Sequence, residues 1–140
     1  MNRAMAEIIG LQTPILMAPD TTVQEACRAM HQRRRGAILV TEDDGRLLGI
    51  FTGDDAVRLA ADGIRPEATT LNAAMTGTPD CVSPRCTAID ALRLMRDGGL
   101  RYIPVVDAAG HVVGLVSRGD FRAREYERLE VETSLWERIR

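Results

Sequence analysis

Two pseudo-symmetric halves of α+β type, each with the order β-α-β-β-α, followed by a long C-terminal helix, are the architecture expected of this 140-residue chain. Three features carry that expectation: a gapless internal repeat, an apolar helical stripe present in both halves, and two matching hairpin patterns. Displaced by 65 positions, residues 13–55 align with residues 78–120, and 12 of the 43 pairs are identical, among them Thr22/Thr87, Met30/Met95, Gly49/Gly114 and Asp55/Asp120. Copies in such register fold alike.

In the first copy ILMA (15–18) is a short extended run that Pro19 stops. Thr22-x-x-Glu25 has capping-box spacing, and Val23, Ala26, Cys27 and Met30 recur on one helical face. Ala88, Ala91, Leu92 and Met95 repeat that face after Thr87. AILVT and LLGIF around EDDG, like YIPVV and VVGLV around DAAG, read as hairpins. A helix is expected directly after Thr52 and after Ser117. GIRPEATTLNAAMTGT contains a short helical piece, LNAAM, and connects the copies. The divisions are therefore 1–62 for the first repeat with an N-terminal segment, 63–77 for the linker with its short helix, 78–124 for the second repeat and 125–140 for the helical extension. Neither copy alone buries much surface, so the two are expected to pack about a pseudo-twofold axis.

Composition narrows the function classes. A net charge of −2 gives no broad attraction to nucleic acid or anionic lipid, and one Trp, two Tyr and two Phe supply few stacking platforms. No apolar run reaches the roughly 20 residues of a membrane span, and MNRAMAEIIG lacks a signal-peptide pattern, so a cytoplasmic location is expected. Cys27, Cys81 and Cys86 form no disulfide framework. Cys27 and His31 lie at i, i+4 on one helix face, but no further ligands complete a metal site and no third group orients a nucleophilic pair, so neither catalysis nor a metal is expected.

The chemistry concentrates in a turn made twice. GIFTGDD (49–55) and GLVSRGD (114–120) each place a hydroxyl three residues before an aspartate at a helix start. A helix N-terminus favours phosphate, and a carboxylate accepts hydrogen bonds from the two vicinal hydroxyls of a ribose. The same residues are also ordinary helix-start chemistry, worth about 1 kcal/mol without any ligand.

The duplicated unit with its G-h-h-[ST]-x-x-D turn, together with MTGTPDCVSPRCTAIDALRLM and RYIPVVD, resembles a tandem pair of CBS domains, or Bateman module, over residues 11 to about 123. The resemblance implies a stand-alone regulatory module that requires no cofactor. It implies a bound adenosine nucleotide, AMP first and ADP or ATP as alternatives, in clefts between the repeats. Asp55 and Asp120 would hold ribose, and Thr52 and Ser117 would lie beside phosphate. Adenine would lie among strand residues such as Tyr102, Ile103 and Pro104. The start of the opposite repeat would bring Thr76, Thr78 and Cys81 to the first turn, and Leu11, Gln12 and Ile15 to the second.

The copies differ in ways that favour the second turn. Arg101, at a family position for a basic phosphate contact, aligns with Gly36, and Gly119 aligns with the added carboxylate of Asp54. The Ser117/Asp120/Arg101 site is expected to bind more tightly. In the C-terminal helix, Tyr126, Leu129, Trp136 and Ile139 form a stripe expected to support a homodimer, with packing back on its own domain as the other reading. The expected partners are thus an adenine nucleotide, a second copy and an unidentified regulated protein, without nucleic acid or membrane. A ligand-independent dimerisation or protein-interaction module is the competing function.

Overall fold

The computed structural model describes residues 2–10 and 12–139. In chain order the elements are α1 (Met5–Ile9), β1 (Leu16–Met17), α2 (Val23–Arg33), β2 (Ala37–Thr41), β3 (Leu47–Thr52), α3 (Gly53–Ala61), α4 (Leu71–Ala74), β4 (Thr76–Gly77), α5 (Ala88–Gly98), β5 (Tyr102–Val106), β6 (Val112–Ser117) and α6 (Ala123–Ile139). Among the described residues no helix is long and apolar enough to cross a membrane.

The chain divides into two compact units. One holds Thr13–Asp80 with Ala108–Val112, and the other holds the N-terminal residues through Gln12, Cys81–Asp107 and the chain from Val113 onward. In the first unit the strands run β1-β2-β3-β4, with β1 parallel to β2 and the other neighbours antiparallel. All five residues of β2 are buried, as suits an interior strand. Thr22 caps α2 by accepting from Glu25 N at 3.1 Å, and Val23, Ala26 and Met30 turn inward to Ile38, Val40 and Phe51. Burying a side chain such as Phe51 contributes roughly 2–3 kcal/mol.

The second unit repeats the plan around β5 and β6. Thr87 accepts from Asp90 N at 3.3 Å, and Ala88, Ala91, Leu92 and Met95 pack with Ile103, Val105 and Val116. Its first strand shrinks to one parallel bridge, Val82 to Val105. Proline explains the loss. In the first unit Leu39 N donates to Ile15 O at 2.9 Å, but the residue aligned with Leu39 is Pro104, which has no N–H.

The segments that precede the repeats change places. Residues before the first repeat join the second: Met5 N donates to Cys86 O at 2.8 Å, Ala6 N to Pro84 O at 2.9 Å, and Met5 and Ile9 enter the second core. The connector joins the first repeat in the same way, with Leu71 N donating to Thr21 O at 2.8 Å and Asn72 N to Pro19 O at 2.9 Å. Each repeat thus receives a short helix from elsewhere in the chain.

A helix directly after Ser117 does not form. Residues Arg118–Asp120 make a 3-10 turn, Phe121 is extended, and α6 starts only at Ala123. The Asp120 carbonyl accepts from Arg3 Nη2 at 3.2 Å, and Phe121 is buried in the core. Those two attachments break the continuous helix that the aligned Thr52 turn begins.

Candidate site at the paired carboxylate turns

Both turns are capping boxes. Asp55 Oδ2 accepts from Thr52 N at 2.8 Å and from the Thr52 hydroxyl at 3.1 Å. Asp120 Oδ2 accepts from Ser117 N at 2.8 Å and from the Ser117 hydroxyl at 3.2 Å. The strand behind each turn is closed in the same way, with Gly53 N donating to Gly36 O at 3.0 Å and Arg118 N to Arg101 O at 3.2 Å. Each aspartate therefore has one oxygen fixed by its own turn, and the other is held in a set direction.

The second oxygen separates the turns. Asp55 Oδ1 lies 3.2 Å from Arg58 Nη2 within α3. Among the described residues, Oδ1 of Asp120 receives no hydrogen bond.

The second turn is braced from behind. Arg3 spans the Asp120 carbonyl and the carboxylate of Glu125, donating to the latter through Nε at 3.1 Å and Nη2 at 2.5 Å. Glu125 also accepts from Arg122 N at 2.7 Å. The hydrogen bond with Glu125 holds Arg3 above its ordinary pKa, and the hydrogen bond from Arg3 holds Glu125 below its own against the opposing effect of burial. Tyr126 donates its hydroxyl to Arg118 O and meets Phe121 edge-on, with ring centroids 6.2 Å apart. Arg3 and Glu125 lie 122 positions apart, and no periodic signal in the sequence marks their pairing.

Residues 8–62 and 71–126 each match the family model of the CBS domain. The chain is a member of the CBS-domain family. The CBS domain-containing protein CBSCBSPB2 of Arabidopsis thaliana is 43% identical over 109 residues, which are 77% of this chain and 20% of that protein. The chain thus spans about a fifth of that relative's length. CBS protein PAE2072 from Pyrobaculum aerophilum, complexed with AMP, superposes with a TM-score of 0.84 at 20% identity over 92% of this chain and 99% of that one. The CBS pair of protein MJ0100, complexed with 5′-methylthioadenosine and S-adenosylmethionine, gives a TM-score of 0.76 at 21% identity over 84% and 95%.

In this CBS pair the expected site residues fall into two groups. Thr76 and Thr78 join the strand behind Thr52 and Asp55: Ile50 pairs with Thr76, and Thr78 N donates to Leu48 O at 3.2 Å. Gln12 joins the strand behind Ser117 and Asp120, its Oε1 accepting from Leu115 N at 3.1 Å. Ile15 belongs to the unit of the first turn, and Cys81 to that of the second. Tyr102 is half-buried and Arg101 exposed, whereas Ile103 and Pro104 are fully buried. Leu11 lies outside the described residues.

The thiols are separate groups, with Cys81 exposed and burial raising the pKa of Cys27 and Cys86. Leu129 is buried, and α6 is tied to α5 by Arg93 to Glu132 at 2.8 Å and Arg96 to the Thr133 hydroxyl at 2.8 Å. The first half of α6 therefore packs on its own unit. Beyond it Leu135 is 51% and Trp136 68% exposed, while the Ile139 side chain lies outside the described residues.

Proposed function

We propose that this CBS pair is a regulatory module that binds an adenosine nucleotide at the Ser117/Asp120/Arg101 turn and transmits occupancy to a partner protein. AMP is the first choice of ligand, with ADP and ATP next. The Thr52/Asp55 turn is the weaker site. One observation carries the ranking: Asp120 keeps a carboxylate oxygen uncommitted among the described residues, while Asp55 shares its own with Arg58. An oriented carboxylate with an open acceptor suits a ribose diol, and a bond to a charged group contributes roughly 1.5–3 kcal/mol. The AMP complex of PAE2072 supports the ligand class, and the MJ0100 complex extends it to other adenosine compounds.

Ligand binding regulates only if two conformations bind the ligand unequally. The module is proposed to act as a homodimer, which the exposure of Trp136 supports, and to regulate without catalysing a reaction. The test is a thermal-shift series with AMP, ADP, ATP, NAD and S-adenosylmethionine on wild type and Asp120→Ala. A saturable rise with an adenosine ligand that disappears in the variant supports the proposal. No rise with any of them favours the ligand-independent interaction module.

A further inference from the structure

A cavity of about 100 Å³ opens beside the start of α6, lined by Arg3, Arg122, Arg124, Glu125 and Arg128, with Ile89 among the remaining residues. Four guanidinium groups and one carboxylate line this hollow, in a chain whose net charge is −2, and Glu7 and Asp120 also act on Arg3 from nearby. Glu125 is already neutralised by Arg3. Arg128 Nε lies 3.2 Å from Glu132 in an exposed pair, a weak claim on that side chain. The guanidinium groups of Arg122 and Arg124 make no close ion pair or hydrogen bond with any described residue, and Arg122 acts on Glu125 only at longer range. Arg122 and Arg124 therefore carry positive charge that no carboxylate of the described residues meets at contact distance, and the N-terminal end of the 17-residue α6 adds to it.

Size selects among anions. One water needs about 10–15 Å³ of such a cavity, so the hollow has room for several waters or one four-oxygen anion. Pockets that enclose larger organic ligands run from about 300 Å³ upward, so this hollow fits a phosphate group better than it encloses a whole nucleotide. Guanidinium forks match the paired oxygens of phosphate better than they match a spherical halide. One side of the hollow is fixed in advance, because Arg3 is tied to both Glu125 and the Asp120 carbonyl.

We propose that this cavity binds a phosphate group between Arg122 and Arg124, separately from any ligand at the Ser117/Asp120 turn. The proposal does not rest on the nucleotide reading. Its test is the melting temperature at constant ionic strength as chloride is exchanged for inorganic phosphate, with glycerol phosphate as a second probe. Wild type and Asp120→Ala are expected to rise saturably, by about 4 °C at ten times the dissociation constant. The Arg122→Ala/Arg124→Ala double variant is expected to lose that rise while keeping its melting point in chloride and its response to AMP. A rise with both probes supports a reader of phosphate groups, and a rise with inorganic phosphate alone supports a site for the free ion. A rise of equal size in the double variant is general anion exclusion and overturns the proposal. So does the absence of a saturable rise in wild type, or its loss in Asp120→Ala.

Discussion

Gly114 runs directly against Ile9: a β-carbon on the glycine would stand 2.6 Å from Ile9 Cγ2 and 2.8 Å from Ile9 Cβ. Gly49 has the same relation to the connector, where its β-carbon would stand 2.8 Å from the Thr76 carbonyl oxygen and meet the Met75 side chain. The glycine that opens each repeated turn thus makes room for the segment arriving from the other part of the chain.

Replacing either glycine by alanine is expected to cost about 1–3 kcal/mol, the usual price of overpacking. Side-chain rotation alone relieves neither clash, because the Thr76 carbonyl oxygen and the Ile9 β-carbon both move only with the backbone. Urea denaturation of both variants measures the cost. Wild-type stability in Gly49→Ala would show that the close approach is not maintained in solution.

Stability in acid depends on Glu125. This carboxylate is 6% exposed, and its bond from Arg3 lowers its pKa in the folded state. Its stabilisation is therefore complete above the unfolded value of about 4.3 and is lost as pH falls through the lower folded value. Glu125→Gln is expected to be less stable than wild type by about 2 kcal/mol at neutral pH, with the gap closing below about pH 4. Denaturation midpoints across that range check the prediction, and a gap that does not change with pH contradicts it.

Trp136 is expected to anchor contact with a second copy. Its side chain lies beyond the part of α6 that Glu132 and Thr133 tie to α5. Trp136→Ala is expected to weaken a homodimer by about tenfold or more, since buried Trp anchors commonly contribute over 1 kcal/mol. Sedimentation across a concentration series reads this directly, and an unchanged association constant removes the helix from the interface.

Both hairpins, both capped helices and both carboxylate turns were legible in the sequence, because each is local and written twice. The destinations of residues 2–10 and of the Leu71–Ala74 helix were not. Their contacts join residues such as Met5 and Cys86, which are far apart in the chain and leave no periodic trace. Pro104 was visible, but its effect on the first strand appears only beside the Ile15 to Leu39 bond of the other unit. The turn after Ser117 looked like a helix start because the capping residues are present, while Arg3 and the burial of Phe121 determine the backbone there. Asp55 and Asp120 looked alike in their spacing, and only the position of Arg58 Nη2 distinguished their second oxygens.

The central claim is that Asp120, ahead of Asp55, forms the stronger ribose contact. Calorimetric titration of AMP into wild type, Asp120→Ala and Asp55→Ala tests it most directly. The expected result is one tighter site that Asp120→Ala weakens about 10- to 100-fold, as loss of a bond to a charged group implies, and that Asp55→Ala leaves within about twofold. Two equal sites in wild type, or AMP affinity unchanged by Asp120→Ala, would contradict it.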